Sequence, residues 1–268
     1  MLAREHGIKP FGVLVVHGGP GAVGDLGPVA QQLASSRGVL EPMQTASTVA
    51  GQVEELRAAV EALASPPVVL IGHSWGAWLS CMLAATAPQL VRKLILIGTP
   101  PFEERYVHLI HEKRRENRMK RLTPDEQQQF AYLAERLSRA ESGQTSVDLG
   151  RLGELAAKAD TYDPLPVDVH LPPPSLSEKA GEIYAGVWPE AARMRQTGEI
   201  LQLMTRVACP VVAIHGEHDP HPSEGVVEPL TTTLRDFQLV LLDKCGHDPW
   251  RERWAADKFY EALEDQLT

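Results

Sequence analysis

The chain of 268 residues carries a formal net charge of −9, with 43% hydrophobic and 23% charged residues. This balance is that of an ordinary globular protein, and the acidic charge argues against a nucleic-acid binder, which would normally present a basic face. No stretch approaches the ~20 continuous apolar residues of a membrane span, and the N-terminus lacks the apolar core and cleavage site of a secretory signal. The cysteines are odd in number and widely separated, which suits free thiols in the cytoplasm better than a disulfide framework.

Short apolar runs alternate with helical patterns through the first hundred residues. The segments Phe11–Gly21, Val68–Ile71 and Lys93–Gly98 are short, apolar and rich in β-branched residues, which favours buried strands. Residues 51–64 carry their apolar side chains on one helical face, and Trp78–Ala87 continues as a helix until a proline ends it. Fully apolar strands that alternate with helices indicate a parallel sheet covered on both faces.

The C-terminal part resumes the same pattern. Pro210–Asp219 and Phe237–His247 each predict a strand that ends in polar residues, and Trp250–Leu267 predicts a closing helix. The expected architecture is therefore an α/β core with a mostly parallel sheet flanked by helices.

A mostly helical insertion is expected between the two parts of this core. No convincing strand lies between residues 102 and 206, and Thr123–Glu126 has the residues that begin a helix. Another helical run is expected after Trp188-Pro189. The basic segment Glu104–Leu122 is interpreted as a solvated helix face, because charges of mixed sign usually face water. The predicted division is a core at 1–101 and 207–268 and a helical insertion at 102–206.

One short motif predicts chemistry. The sequence Gly72-His73-Ser74-Trp75-Gly76 fits G-x-S-x-G, directly after an apolar strand and directly before a helix of small residues. A strand that turns at once into a helix strains its central residue and crowds the neighbouring backbone, so glycines are needed on both sides. This geometry would place the Ser74 hydroxyl above the sheet, at a helix N-terminus.

The motif in this context resembles an α/β-hydrolase-fold serine hydrolase, and the resemblance covers nearly the whole chain. That family has its nucleophile, acid and histidine in this order along the chain. Ser74 corresponds to the nucleophile, Asp219 after an apolar strand to the acid, and His247 after the last strand to the general base. Asp243 and Asp248 are alternative acids with less favourable positions.

The resemblance also implies the remaining parts of the site. The backbone N–H of Trp75 and that of Gly19, in the loop His17–Gly21 (HGGPG), would form the oxyanion hole. His17 is expected to hold this loop rather than to transfer protons. The insertion would form a cap over a pocket for a small-molecule substrate, and no metal or organic cofactor is expected.

Two other functions remain open at this stage. The segment HGEHDPH brings His215, His218 and His221 close to Asp219, and such a cluster suggests a zinc metallohydrolase. The prolines of this segment, however, prevent a helix that would align the ligands. A receptor-like protein that binds a small ligand on the same fold is the other alternative.

HGGPG together with SWG resembles the proline iminopeptidase branch of the family. The segment Arg37–Thr48 departs from the pattern of that branch, and Glu178, Glu182 and Glu190 are the candidates for an anchor of the substrate amino group. Members of the family normally begin with a β-hairpin, which the residues before Phe11 are too few to provide, so we expect a sheet shortened to about six strands.

The expected substrate is an ester or amide of a small to medium acyl group. Trp75, Trp78 and Trp188 are candidates to line a compact apolar pocket, and the alternative is that they fill the core.

Overall fold

The computed structural model describes residues 3–138, 146–166 and 179–268. Its centre is one seven-stranded sheet in the order β1-β3-β2-β4-β5-β6-β7, in which β1 is antiparallel to its neighbour and every other pair is parallel. The strands are β1 (Ala3–His6), β2 (Phe11–Val16), β3 (Gly38–Pro42), β4 (Val68–His73), β5 (Val91–Ile97), β6 (Val211–Gly216) and β7 (Phe237–Leu242).

The helices in the described parts of the chain fall into core helices and inserted helices. The core helices are α1 (Gly27–Leu33), α2 (Val49–Leu63), α3 (Trp75–Thr86), α9 (Glu224–Thr233) and α10 (Ala256–Asp265). The inserted helices, between β5 and β6, are α4 (Val107–Arg121), α5 (Pro124–Ser138), α6 (Ser146–Asp160), α7 (Ala180–Gln196) and α8 (Glu199–Met204).

The central strands are apolar throughout because both faces of the sheet are buried. Along β2, Leu14 and Val16 pack on the face that α2 and α3 cover, whereas Val13 and Val15 pack on the opposite face with α1 and α10. Burial of both faces is the reason why strands of a parallel sheet form continuous hydrophobic runs. The predicted α/β-hydrolase architecture, with a mostly parallel sheet between helices, is confirmed.

The sheet has seven strands rather than the predicted six or so, and it differs from the sequence prediction at the edge formed by β1 and β3. The sequence analysis did not find β1 or β3. β1 is only four residues long and polar, and β3 contains Glu41, a buried carboxylate. Glu41 accepts a hydrogen bond from His6 at 3.0 Å, so the two missed strands are joined by a polar contact that hydrophobic periodicity does not reveal.

The inserted helices also correct one predicted boundary. Thr123 and Glu126 cap α5 reciprocally, with N···O distances of 2.9 and 3.3 Å, as the sequence predicted. Pro189, by contrast, lies inside α7 and does not precede a helix. Val187 and Ala191 on either side of it are fully buried, and this packing accounts for a helix that continues through a proline. Within the described residues, no helix is both long and apolar enough to cross a bilayer.

A buried carboxylate fastens the inserted segment to the loop that follows β7. Both oxygens of Glu252 accept backbone hydrogen bonds, from Tyr162 at 2.6 Å, Asp163 at 2.8 Å and Gly246 at 2.6 Å. The Glu252 side chain is completely buried. One side chain therefore bridges the loop after β7 and the residues after α6, beside backbone hydrogen bonds between the same segments.

The Glu252→Ala substitution should lower the free energy of unfolding by about 3 kcal/mol or more, because three backbone donors lose their acceptor at ~1–3 kcal/mol each. Urea denaturation of the two proteins measures the difference. The matched control is Glu261→Ala, which removes an exposed carboxylate from α10 and should change stability by less than ~0.5 kcal/mol. Equal stability of wild type and Glu252→Ala would contradict this role.

Candidate active site

Ser74 lies in the strained turn that the motif predicts. β4 ends at His73 and α3 begins at Trp75, so Ser74 alone makes the turn, with φ +52° and ψ −117°. This is a rare conformation for a residue other than glycine and costs conformational energy. The backbone N–H of Ser74 donates to the carbonyl of Ile97 at 2.9 Å, which ties the turn to the next strand.

The two glycines of the motif are required by close backbone approach. A Cβ on Gly72 would lie 2.3 Å from the carbonyl oxygen of Gly76, and a Cβ on Gly76 would lie 2.1 Å from that of Val16. No side chain fits at either position. The turn therefore depends on glycine on both sides of Ser74, as the sequence analysis predicted.

Asp219 and His247 meet at the carboxyl edge of the sheet. Asp219 Oδ2 and His247 Nδ1 are 2.9 Å apart, and the carboxylate is completely buried. Its other oxygen, Oδ1, accepts the backbone N–H of His221 at 2.8 Å. The alternative acids lie elsewhere: Asp243 is exposed and bonded to a lysine, and Asp248 lies beside His73 and an arginine.

The charges of this pair reinforce each other. Burial alone would raise the pKa of Asp219, but the neighbouring His247 and His215, together with the hydrogen bond, hold that pKa well below its usual range. Burial would lower the pKa of His247, but the charge of Asp219 and its hydrogen bond, with smaller effects of Asp248 and Asp160, raise the pKa to about 9. An unperturbed histidine has a pKa of ~6.5, and the buried carboxylate is the reason for the difference.

His73 connects the serine turn to His247. Its ring lies 4.6 Å, centroid to centroid, from the ring of His247, and its Nε2–H donates to the backbone carbonyl of His247 at 3.2 Å. Within the described residues, the Ser74 hydroxyl has no hydrogen bond to His247. Contacts between catalytic groups are often loose in the absence of substrate.

A partly buried ionic cluster surrounds His73, and sequence reasoning missed it. Asp25 and Asp248 lie 3.7 and 3.4 Å from its two ring nitrogens, and Arg251 donates to Asp25 at 2.7 Å. Burial, and then the charge of His247, lower the pKa of His73 to about 3, so this ring is neutral. Burial and the charge of Asp248 raise the pKa of Asp25 to about 6. No short motif connects residues so far apart in sequence.

The HGGPG loop lies directly against the serine. A Cβ on Gly18 would lie 3.2 Å from the Cβ of Ser74. In the described part of the chain, neither the N–H of Gly19 nor that of Trp75 has an acceptor. His17 is buried, its Nδ1–H donates to the carbonyl of Gly18 at 3.0 Å, and burial lowers its pKa to about 4. A neutral, hydrogen-bonded His17 fits the structural role expected for it.

The histidines of HGEHDPH do not converge on one point. His215 Nε2 donates to the backbone carbonyl of His221 at 2.8 Å, and His218 is exposed beside the ring of Tyr162. Within the described residues, the ligand atoms of Asp219, His221 and His247 lie within 4.8 Å of one another, close enough to hold a metal ion. Asp219 and His247 also form the acid–histidine pair, so a metal ion there would bind groups that the pair already uses.

The remaining candidates from the sequence take structural positions. Trp75 and Trp78 are completely buried, so they fill the core and do not line a pocket. Trp188 is half-buried and stacks on Tyr184. Glu190 accepts the backbone N–H of Val49 at 2.9 Å. Among the other proposed amine anchors, Glu182 is exposed and Glu178 lies outside the described residues.

The sequence analysis expected the insertion to cap the pocket but did not identify which of its residues contact the site. The backbone carbonyl of Asp160, at the end of α6, accepts the N–H of His247 at 2.9 Å. On α4, Lys113 donates to the backbone carbonyl of Asp219 at 3.4 Å, and Arg114 Nη2 lies 3.3 Å from His221 Nε2. These two cations belong to the segment that was interpreted as a solvated face. That interpretation is wrong for them, because both side chains contact the loop that follows β6.

A family model described as alpha/beta hydrolase fold matches residues 13–250. The chain therefore belongs to the α/β-hydrolase fold family. Among curated proteins, none matches this chain significantly in sequence.

Several solved structures share this fold over nearly the whole chain. VinJ is similar at 20% identity and a TM-score of 0.69, with 99% of this chain and 93% of that chain covered. E-2-(acetamidomethylene)succinate hydrolase is similar at 20% identity and a TM-score of 0.62, with 99% and 94% covered. A carboxylesterase structure from the ammonia-oxidizing thaumarchaeon Nitrososphaera gargenis is similar at 20% identity and a TM-score of 0.62, with 99% and 93% covered. At these identities the likeness shows the fold.

The raised pKa of His247 predicts the pH dependence of hydrolysis. An imidazole must be neutral to accept a proton, so kcat/KM for a neutral ester should increase with pH through an apparent pKa near 9. Removal of the carboxylate charge in Asp219→Asn should shift the apparent pKa of the residual activity downward, toward ~6.5. A pH profile of both proteins measures the shift. A wild-type midpoint at or below 6.5 would contradict this account of the pair.

Proposed function

We propose that the protein is a serine hydrolase that cleaves an ester or amide of a small to medium acyl group through an acyl-enzyme intermediate. The observation that carries the proposal is the 2.9 Å hydrogen bond between the buried Asp219 and His247, beside a serine in a strained strand-to-helix turn. Two of the similar structures, E-2-(acetamidomethylene)succinate hydrolase and a carboxylesterase, are named as hydrolytic enzymes.

Each group has a distinct role in the proposed reaction. Ser74 Oγ attacks the acyl carbonyl while His247 Nε2 takes the hydroxyl proton, and Asp219 balances the charge of the imidazolium. The tetrahedral intermediate then expels the alcohol or amine, which receives that proton from His247. A water molecule then attacks the carbonyl of the acyl-enzyme while His247 takes its proton. The bond to Ser74 Oγ breaks, the carboxylic acid is released, and Ser74 Oγ receives that proton from His247.

The N–H groups of Gly19 and Trp75 are the proposed oxyanion hole. Both have no acceptor among the described residues, and the loop before Gly19 lies against Ser74. Donors that are already oriented stabilise the negative oxygen of the intermediate without reorganisation during the reaction. No resident cofactor is part of this proposal.

The insertion at 102–206 is proposed to be a cap that borders the substrate pocket. Its support is the contact of Lys113 with the turn at Asp219 and of Asp160 with the backbone of His247. Ligands of open α/β sheets bind at the carboxyl ends of the strands, where these contacts lie. A cytoplasmic location belongs to the same proposal, because the three cysteines are free thiols, as expected in a reducing compartment.

A fluorophosphonate probe tests the nucleophile. The wild-type protein should become covalently labelled, and Ser74→Ala should not, when both are incubated with an excess of a metal chelator and examined by gel fluorescence. The control is Ser35→Ala, which removes an exposed serine hydroxyl that follows α1 and donates to the carbonyl of Gln32, and it should leave labelling intact.

Equal labelling of wild type and Ser74→Ala would contradict the assignment of the nucleophile. Labelling or hydrolysis that is lost with the chelator and restored by zinc would favour the metal set of Asp219, His221 and His247. Labelling of Ser74 without hydrolysis of any ester or amide would favour a receptor-like protein.

A further inference from the structure

The guanidinium of Arg114 lies beside His221, whose ring contacts the ring of His247. Arg114 is on α4, and its Nη2 is 3.3 Å from Nε2 of His221, whose ring lies 4.9 Å from the ring of His247. The side chain is 37% exposed, so the guanidinium is accessible from outside. Only the His221 ring therefore separates this cation from His247.

Arg114 lacks a close carboxylate, in contrast to two other arginines of the inserted helices. Arg151 donates to Glu154 at 2.8 Å and Arg195 donates to Glu104 at 2.9 Å. Arg114 has its nearest carboxylate oxygen, Asp160 Oδ2, at 4.0 Å, and in the described residues no hydrogen bond joins the two side chains. Most N–H donors of its planar guanidinium are therefore available to a ligand.

The groups that face Arg114 leave this part of the site positively charged. His221 is neutral, because burial holds its pKa well below the usual value. Asp160 is the one carboxylate within ion-pair distance among the described residues, and burial raises its pKa. Lys113 and Arg118 add two cations from the same helix, while the charge of Asp219 is matched by His247.

We propose that Arg114 binds a carboxylate of the substrate, so that the preferred substrates are esters or amides that carry a free carboxylate on the acyl part. This inference rests on the proposed serine hydrolase function. A guanidinium and a carboxylate form two parallel hydrogen bonds, which give orientation as well as attraction. Lys113 contributes a second positive charge beside the same position.

Two esters of matched length test this preference: 4-nitrophenyl hydrogen glutarate, with a terminal carboxylate, and 4-nitrophenyl pentanoate, without one. We expect kcat/KM of the wild-type protein to be at least tenfold higher for the glutarate. Arg114→Gln should lower the glutarate value about tenfold or more and leave the pentanoate value within about threefold. The effect should lie mainly in KM, since Arg114 binds the part of the substrate that does not react.

Two further variants sharpen the test. Arg114→Lys retains the positive charge but cannot form two parallel hydrogen bonds to a carboxylate, so it should keep only part of the preference for the glutarate. Arg115→Gln removes the neighbouring exposed cation of α4, and it should keep the wild-type ratio of the two esters. A long-range effect of net charge would instead change the ratio equally in Arg114→Gln and Arg115→Gln.

Turnover of the pentanoate with no preference for the glutarate, or an equal loss for both esters in Arg114→Gln, would overturn the inference and leave the serine hydrolase function standing. A strong preference for an aminoacyl 4-nitrophenyl ester would also overturn it, and would point to Asp160 as the partner of a substrate ammonium. Hydrolysis of neither ester, together with unlabelled Ser74, would contradict the proposed function itself.

Discussion

The close approach of three backbone segments around Ser74 is the constraint on which the site depends. β4 turns into α3 within one residue, and the start of α3 lies against the end of β2 so tightly that Gly76 has no room for a Cβ beside the carbonyl of Val16. The strain at Ser74 is maintained because the sheet on one side and the helix on the other are both fully packed. That packing presents the hydroxyl at the edge where β5, β6 and β7 also end.

Two histidines side by side have opposite electrostatic states, and their surroundings explain why. His247 shares a 2.9 Å hydrogen bond with a buried carboxylate, which raises its pKa. His73, 4.6 Å away, has carboxylates only at 3.4 and 3.7 Å, and one of them, Asp25, is paired with Arg251. Burial therefore prevails at His73, and the neutral ring holds the backbone of His247 through a hydrogen bond. A positively charged His247 further disfavours a charge on His73.

The sequence predicted those parts of the fold in which hydrophobic pattern and burial agree. β2, β4 and β5 are apolar on both faces and were found, whereas β1 is a polar edge strand and was not. The pairing of Asp219 with His247 could be expected because both follow strands of one parallel sheet. The proximity of Arg114 could not, because helical spacing indicates which residues share a face of α4 but not what that face contacts.

The central claim is that Ser74 carries the acyl group during turnover, and intact-protein mass spectrometry tests it most directly. During hydrolysis of a slowly deacylating ester such as 4-nitrophenyl trimethylacetate, the protein should gain the mass of one acyl group, and peptide mapping should place this group on Ser74. The added mass should be absent from Ser74→Ala. Sustained hydrolysis without a covalent adduct, or an adduct on another residue, would contradict the account.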